Sequence, residues 1–302
     1  MGSKKFKKPK PGLLKKNCVD AKGNRTLTLE EKYGIYEISV QDPEEHIRMF
    51  NFIHSEVVGR APRILREDFC GTFWISTEWV KSNSANEAIC LDLDSEPLAH
   101  GKVFHYKTLN SEQKKRIEIL KQNVISVTMK KADIVAACNF SFYIFKERNT
   151  LVDYFRKALA SLTPGGVFIL EMAGGPGFIE KDKERRTVKS DKFGKFQYMW
   201  HQKSFNPITH DGLYSINFKF PDGSKVKDAF VYDWRVWTLP EIFDAMRDAG
   251  FVDPHVYWEE EDEEGEGTGE YVRTTEGDSS HSWITYAVGV KPKKPVNKRS
   301  GA

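Results

Sequence analysis

The chain has 302 residues, of which 39% are hydrophobic and 13% aromatic, so it can bury a substantial core and is not expected to be intrinsically disordered. A formal net charge of +3 is too small to indicate nucleic-acid binding by the chain as a whole. No apolar stretch approaches the ~18 residues that span a bilayer, and the basic N-terminus lacks an apolar segment behind it, so we expect neither a membrane protein nor a secretory signal.

Charge is distributed unevenly along the chain. Basic runs open and close it, and we expect residues 1–28 and 292–302 to be flexible basic tails. The run EEEDEEGEGTGE at 259–270 is strongly acidic, and we interpret it as a solvated loop. Runs of one sign are typically solvated, although the basic tails could also contact a polyanion.

The cysteines favour a reducing environment. None of them forms a CxxC pair, so a zinc site is not expected: Cys18, Cys70, Cys90 and Cys138. Three of them fall in or beside predicted strands, where a free thiol behaves as a small hydrophobe. This usage indicates a cytoplasmic protein.

The first predicted element is a helix over residues 43–58. Apolar residues recur there at helical spacing, Pro43 suits the first turn, and Gly59 would end the helix. Together with the segment KYGIYEISVQ before it, this helix makes residues 29–59 a predicted N-terminal helical lid.

Strand and helix patterns then alternate over residues 60–175. The predicted strands are RILREDF, EAICLDLD, Ile117–Gln122, KADIVAAC and GVFILEMAGG, and amphipathic helices lie between them. Short apolar strands alternating with helices indicate parallel pairing with right-handed crossovers.

The pattern changes after Gly175. Residues 176–237 show period-two alternation with hairpin-type turns, which predicts an antiparallel β insert. Residues 238–291 contain a helix and two further strands flanking the acidic run. The predicted fold class is α/β: a doubly wound, mostly parallel seven-stranded sheet with an antiparallel insert after the fifth strand.

The turn after the first strand restricts the ligand. In a doubly wound sheet, ligands bind beyond the carboxyl ends of the strands. A dinucleotide site there needs G-x-G-x-x-G, whereas residues 69–73 read FCGTF. Side chains would clash with an NAD or FAD pyrophosphate at this glycine-poor turn, and the acidic pair Glu67–Asp68 would repel phosphates.

A cationic, phosphate-free ligand suits this turn better. Asp92 lies 25 residues beyond Glu67, at the end of the second strand. This is near the ~20-residue spacing at which a carboxylate accepts ribose hydroxyls. An adenosyl ligand with a positive, phosphate-free tail is S-adenosylmethionine.

Four segments together resemble a known family. REDFCGT, AICLDLDSEPL, ADIVAACNFSF and LTPGGVFILEMAGG, in this order, resemble a class I S-adenosylmethionine-dependent methyltransferase over residues 60–175. The resemblance is closest to a bacterial-type group with a DFCGT first motif. It implies a Rossmann-like fold and S-adenosylmethionine as the cofactor.

The resemblance also implies roles for individual residues. Glu67 would contact the methionine part, Asp92 the ribose, and the remaining residues the turn, the adenine and the methyl group: Phe69, Cys70, Gly71, Thr72, Leu93, Asp94, Asn123, Val124, Asn139, Phe140 and Ser141. Structural interpretations compete with several of these roles. Asp94 could cap the next helix, and Asn123 and Asn139 could be turn residues.

We expect the methyl acceptor to contact the two segments added to the main sheet, which are the N-terminal segment and the antiparallel insert. The candidate acceptor-binding residues are Tyr33, Tyr36, Tyr143, Glu171 and Trp200, although most aromatic residues of this kind pack in cores. Glu171 could steady a cationic amine. Methyl transfer needs alignment and a dry site rather than a metal, and the eight histidines are scattered without ligand spacing, so no metal site is expected.

Three functions remain open from the sequence. The first is methyl transfer to a nitrogen or oxygen atom of a small molecule. The second is methylation of RNA or protein with the help of the basic tails. The third is an adenosyl-binding regulator without turnover. The insert could roof the acceptor pocket or form a homodimer contact.

Overall fold

The computed structural model describes residues 19–262 and 267–293. Most of the two predicted flexible tails, 1–28 and 292–302, therefore lies outside the described residues, as do residues 263–266 of the acidic run.

Residues 19–28 differ from the prediction because they pack on the insert. The backbone bridges Val19 to Arg25 and Asn24 to Lys225. The buried guanidinium of Arg25 donates a hydrogen bond to Asp222 at 2.6 Å. This part of the predicted basic tail is thus fastened to the structured chain.

The strands form two separate sheets. In chain order they are β1 Ile64–Asp68, β2 Glu87–Asp92, β3 Ile117–Lys121, β4 Ala132–Ala137, β5 Leu162–Gly174, β6 Lys183–Ser190, β7 Gly194–Phe205, β8 Asp211–Lys219, β9 Lys225–Arg235, β10 Val252–Glu261, β11 Gly267–Thr274 and β12 Trp283–Val290. The main sheet has eight strands in the order β11-β10-β12-β5-β4-β1-β2-β3. The insert is a separate antiparallel sheet, as predicted, and it has four strands in the order β6-β7-β8-β9.

The winding of the main sheet reverses between β1 and β4. Strands β1 to β5 pair in parallel, and β12 joins β5 in the antiparallel direction. In the register, Glu67 of β1 lies beside Cys90 of β2 and Ala136 of β4. The carboxyl ends of these three strands therefore meet at one edge, where doubly wound sheets bind ligands.

The main sheet has one strand more than the predicted seven. The acidic run is not a simple loop, because Glu259–Glu261 end β10 and Gly267 begins β11. Strand β11 pairs antiparallel with β10 at the edge of the sheet. The pattern was missed because an edge strand tolerates charged residues that point to solvent.

The helices are α1 Leu29–Val40, α2 Pro43–Val58, α3 Trp74–Ser82, α4 Ser95–Phe104, α5 Ser111–Lys114, α6 Arg148–Ser161 and α7 Leu239–Ala249. The structure confirms the helix over 43–58 but adds α1 before it. Helix α1 begins in a capping box formed by Thr28 and Glu31. The buried positions of α1 include Gly34, Glu37 and Ser39, so its sequence lacks the apolar stripe from which a helix is predicted.

The segment named the lid after its predicted role, residues 29–59, consists of α1 and α2 and contacts both sheets, and its function as a lid stays a prediction. Gly34 of α1 lies directly against the ring of Phe193 in the insert, where a side chain would clash. Helix α2 packs on the main sheet through Met49, Phe50 and Ile53, which are fully buried. No helix among the residues that the structure describes has both the length and the apolar character needed to cross a lipid bilayer.

Candidate functional site

The candidate site lies beyond the carboxyl ends of β1, β2 and β4, where doubly wound sheets have their ligand crevice, and it is called the crevice below. Two turns with unusual backbone conformations flank it. In the glycine-poor turn, Phe69, Gly71 and Phe73 have φ angles of 55°, 53° and 48°, and Asn139 and Phe140 after β4 have 52° and 56°. Left-handed conformations at non-glycine residues are strained and concentrate at functional sites.

Only part of the glycine-poor turn reaches the crevice. Cys70 and Thr72 are buried, and the N–H of Cys70 donates to the Leu91 carbonyl at 3.0 Å, which ties the turn to β2. A Cβ atom on Gly71 would meet no atom within 4 Å, so the turn is open above this residue. The open space leaves room for a ligand next to the backbone.

The turn also orients Asp92. One carboxylate oxygen of Asp92 accepts the Gly71 N–H at 2.8 Å, and the other accepts the Asp94 N–H at 2.8 Å. Burial raises the pKa of Asp92, and these backbone donors oppose that rise. Each oxygen of a carboxylate can accept a second hydrogen bond, so Asp92 can still accept a pair of hydroxyls.

The acidic pair Glu67–Asp68 does not rim the crevice. Both side chains are buried, with exposed fractions of 3% and 1%. Successive residues of a strand point to opposite faces of the sheet. Glu67 therefore accepts hydrogen bonds from Ser76 of α3, whereas Asp68 pairs with Arg66 and accepts from Tyr154 of α6. The expectation that this acidic pair rims the crevice is wrong, because both carboxyl groups are buried and Asp68 is paired with Arg66.

Glu67 makes stability depend on pH. Burial raises the pKa of Glu67 from 4.5 to about 7, although hydrogen bonds from Ser76 lower it. A carboxyl group with a raised pKa stabilises the fold below its unfolded pKa, and this contribution is lost as the pH rises through the folded value. As the pH rises from about 4 to about 8, the free energy of unfolding of Glu67→Gln should increase by about 3 kcal/mol relative to that of the wild type.

Denaturant unfolding at several pH values measures this difference. Glu112→Gln, an exposed carboxylate on α5, is the matched control and should follow the wild-type curve. Parallel pH profiles for Glu67→Gln and the wild type would show that Glu67 ionises normally.

The residues after β2 and β3 also have structural roles. Asp94 accepts the Glu96 N–H at 2.8 Å and so caps α4, while Leu93 remains 59% exposed beside Asp92. The side chain of Asn123 accepts the Ile125 N–H at 2.9 Å, as a turn residue does. Val124 is buried, and its carbonyl accepts from Arg66 at 2.7 Å. The structural interpretations of Asp94 and Asn123 are thus present, and contacts of these residues with a cofactor stay predictions.

The turn after β4 connects the crevice to the lid. The Asn139 N–H donates to Glu171 at 2.5 Å, and its side-chain amide donates to the Val40 carbonyl at 3.2 Å. Ser141 donates to the Cys138 carbonyl at 2.8 Å. Asn139 therefore joins β4, β5 and α1 at one point.

Sequence reasoning missed His46, which pairs with Glu171. Its Nε2 lies 3.3 Å from Glu171, and its Nδ1 lies 2.7 Å from the Asp42 carbonyl. Burial alone would lower the pKa of His46, but Cys138 and Glu171 beside it raise the pKa well above the ordinary value. Glu171 is thus already paired with a buried cation, which revises its expected role as the free counter-charge for an amine.

Aromatic side chains of α1 and of the insert form a cluster beside the crevice, which is named the aromatic roof after its predicted role and consists of Tyr36, Trp200, Tyr232 and Trp234. The rings of Tyr232 and Trp234 stack at 4.3 Å, and Trp200 lies 5.9 Å from Tyr232. Trp234 reaches Phe140 of the crevice at 6.4 Å. Burial and, to a smaller extent, the charge of Glu171 raise the pKa of Tyr36 to about 12, although a hydrogen bond from Tyr232 lowers it.

The remaining candidate aromatics lie elsewhere. Tyr143 is fully buried and donates to the Ala173 carbonyl at 2.7 Å, so it belongs to the core. Tyr33 donates to Glu96 at 3.0 Å and thereby fastens α1 to α4 at the edge of the crevice. A broad cavity of about 940 Å³ lies at the opposite, amino end of the strands, next to Ile64 and Glu87. Doubly wound sheets do not bind ligands at that end.

Comparison with known proteins identifies the fold. No protein-family model and no curated protein matches the sequence. Among solved structures, an S-adenosylmethionine-dependent methyltransferase from Clostridium acetobutylicum matches with a TM-score of 0.59 and 14% identity, over 86% of this chain and 97% of that one. Streptomyces venezuelae DesVI matches with a TM-score of 0.64 and 17% identity, over 88% of this chain and 99% of that one. The chain has the methyltransferase fold.

A third methyltransferase structure matches equally well. CalS10, an amino pentose methyltransferase from Micromonospora echinaspora solved with S-adenosylmethionine bound, matches with a TM-score of 0.63 and 14% identity, over 89% of this chain and 99% of that one. Residues 60–175 alone could not account for such coverage, so the likeness extends into the lid and the insert. The predicted class I methyltransferase fold is confirmed, and the narrower DFCGT group stays a prediction.

Proposed function

We propose that the protein is an S-adenosylmethionine-dependent methyltransferase that methylates a nitrogen, or alternatively an oxygen, of a small-molecule acceptor. The observation that carries the proposal is the position of Asp92, which the glycine-poor turn holds at the mouth of the crevice. Support comes from the methyltransferase fold and from neighbours named as an amino pentose methyltransferase and a sugar N-methyltransferase.

The crevice fits the cofactor in three respects. Asp92 keeps lone pairs for the two ribose hydroxyls, Gly71 leaves space beside the backbone, and the exposed Leu93 offers an apolar surface to adenine. When bound, the cofactor supplies a methyl group on a sulfonium, which is already activated for displacement. We place Asn139, Phe140 and Ser141 next to that methyl group.

The chain's own residues would align the acceptor and exclude water. The lid is fastened over the crevice by the Asn139 amide and by Tyr33. We place the acceptor against the aromatic roof, because aromatic faces attract cationic amines and Trp234 of this cluster contacts Phe140. Holding the acceptor in line with the methyl group in a dry site is the main contribution that this reaction requires.

Through Asn139, Glu171 would act as a positioning residue. Its carboxylate accepts the Asn139 backbone N–H and neutralises His46. Both contacts fix the turn after β4, where the methyl group would lie. The proposal therefore assigns substrate contact to Tyr36 and Trp200 rather than to Glu171.

Transfer of a labelled methyl group to a panel of small amines and matched alcohols tests the proposed function. We expect incorporation into one or more amines, and incorporation only into RNA or protein would refute the small-molecule acceptor. The absence of any transfer, with S-adenosylmethionine still bound, would identify a non-catalytic binding protein.

Trp200 should affect the acceptor but not the cofactor. For Trp200→Ala we expect kcat/KM for the acceptor to fall at least about tenfold, since loss of a pocket wall costs about 1–3 kcal/mol. The affinity for S-adenosylmethionine should stay unchanged. Val231→Ala, at an exposed position of the same insert, is the control. An unchanged kcat/KM in a folded Trp200→Ala variant would show that the aromatic roof is not part of the acceptor site.

A further inference from the structure

Two helices bring three metal-ligating side chains together between the lid and the glycine-poor turn. Glu37 comes from α1, His100 from α4, and His105 from the end of α4. Their donor atoms all lie within 4.8 Å of one another, and Glu37 and His100 are buried. This cluster is not visible in the sequence, because Glu37 is more than sixty residues away from both histidines.

The separations of the donor atoms match a tetrahedral site. The two Glu37 oxygens lie 2.6 Å from His105 Nε2 and 3.6 Å from His100 Nε2. Ligands bound to zinc at ~2.0–2.1 Å with tetrahedral angles lie about 3.3 Å apart, which falls between these two values. Small side-chain adjustments would therefore place all three donors around one ion.

His100 is poorly satisfied in the protein alone. Its Nδ1 is buried without a hydrogen-bond partner, and the 3.6 Å from its Nε2 to Glu37 exceeds a hydrogen-bond length. The side chain of His100 is only 2% exposed. Because the two ring nitrogens point in different directions, Nε2 is the atom offered to the cluster, and the unpartnered Nδ1 shows that the buried ring is incompletely hydrogen-bonded.

The other two candidate ligands are Glu37 and His105. The Glu37 carboxylate already lies 2.6 Å from Nε2 of His105. The ring of His105 stacks on Trp74 at 5.5 Å, which fixes its orientation. His105 is also partly exposed and offers a path for an ion to enter.

We propose that Glu37, His100 and His105 form a binding site for a divalent transition metal of the zinc class. Two imidazoles and one carboxylate favour such a metal over Ca²⁺ or Mg²⁺, which prefer oxygen ligands. The buried Thr72 hydroxyl lies near the Glu37 carboxylate and makes no hydrogen bond of good geometry, so it is a further unsatisfied polar atom beside the cluster.

The site would fasten the lid to the cofactor crevice. Glu37 belongs to the lid, whereas Thr72 belongs to the glycine-poor turn, and α4 follows Asp92 and Asp94 directly. Gly101 of α4 packs so closely on the Thr72 carbonyl that no side chain would fit there. A bound ion would thus join the lid, the turn and α4. The metal site does not depend on the proposed methyl transfer.

A second cluster, His46, Cys138 and Glu171, is a weaker candidate among the described residues. Both ring nitrogens of His46 already have partners, and Glu171 accepts from Asn139. The Cys138 thiol is buried and would have to lose its proton to bind a metal. Zinc bound at the second cluster would have a sulfur ligand, whereas zinc bound at the first would not, so sulfur coordination distinguishes the two clusters.

Metal titration of the tag-free, chelator-stripped full chain tests the proposal. We expect one equivalent of Zn²⁺ to bind by calorimetry, and a Zn²⁺ concentration of 100 times Kd to raise Tm by about 5 °C. Zinc X-ray absorption should show nitrogen and oxygen ligands without sulfur. Glu37→Gln and His105→Gln should each raise Kd by about 100-fold or more, since even residues behind the ligands are worth 10–100-fold.

His201→Asn, a histidine of the insert outside the cluster, is the control and should bind Zn²⁺ like the wild type. Circular dichroism without metal verifies that each variant folds. The proposal fails if the wild type binds no Zn²⁺, if folded Glu37→Gln and His105→Gln bind it with unchanged affinity, or if sulfur coordination appears.

Discussion

Replacing Asp92 by alanine should abolish the thermal stabilisation that S-adenosylmethionine gives to the protein. The carboxylate is held by the Gly71 and Asp94 N–H groups in a position to accept two ribose hydroxyls. Hydrogen bonds to a charged group contribute about 1.5–3 kcal/mol each, so losing two of them should weaken binding by more than about 100-fold. Differential scanning fluorimetry and calorimetry of the variant measure both effects.

The control for this experiment is Asp191→Ala, which removes an exposed carboxylate on the insert. It should keep the wild-type response to S-adenosylmethionine. The circular dichroism spectrum of Asp92→Ala should match that of the wild type, because Asp92 lies at the end of a strand rather than in its centre. Undiminished stabilisation of a folded Asp92→Ala variant would remove Asp92 from the ribose site.

Asp68→Ala should produce the largest loss of stability. Arg66 and Asp68 form a fully buried ion pair at 2.7 Å, and the guanidinium also donates to Val124, Ser126 and Ser161. These acceptors remain in the variant, but the counter-charge is lost. Removing one partner of a buried pair costs about 3–5 kcal/mol, because an uncompensated charge stays inside the protein. Urea unfolding measures this loss.

A double variant separates the charge effect from a loss of packing. Arg66→Met combined with Asp68→Leu removes both charges at similar volume, and such replacements are often neutral or stabilising. We expect the double variant to be more stable than Asp68→Ala. A loss below about 1 kcal/mol in Asp68→Ala would mean that the guanidinium reaches water and that the pair is not buried.

The main sheet was predictable because its strands carry their own signal. Strands β2 and β4 are short, mostly apolar runs buried on both faces, and helices lie between the strands along the chain. Strands β6 and β11 were missed for the opposite reason. Both lie at sheet edges and consist largely of charged or polar residues, so little burial constrains their sequence.

The candidate site was predictable only where it follows strand ends. Asp92 and Gly71 lie where the parallel-sheet pattern places them. The sequence does not show which way a side chain points, and for this reason Glu67 and Asp68 were expected at the rim of the crevice. Contacts across the lid were also hidden: neither the His46–Glu171 pair nor the cluster around Glu37 is visible until the helices pack on the sheet.

The central claim is that the crevice at the carboxyl ends of β1, β2 and β4 selects a sulfonium nucleoside rather than a dinucleotide. Calorimetric titration of the purified chain with S-adenosylmethionine, S-adenosylhomocysteine and NADH tests it most directly. We predict that both adenosyl compounds bind one equivalent each and that NADH does not bind. Tight binding of NADH, with neither adenosyl compound bound, would contradict the proposed site and function.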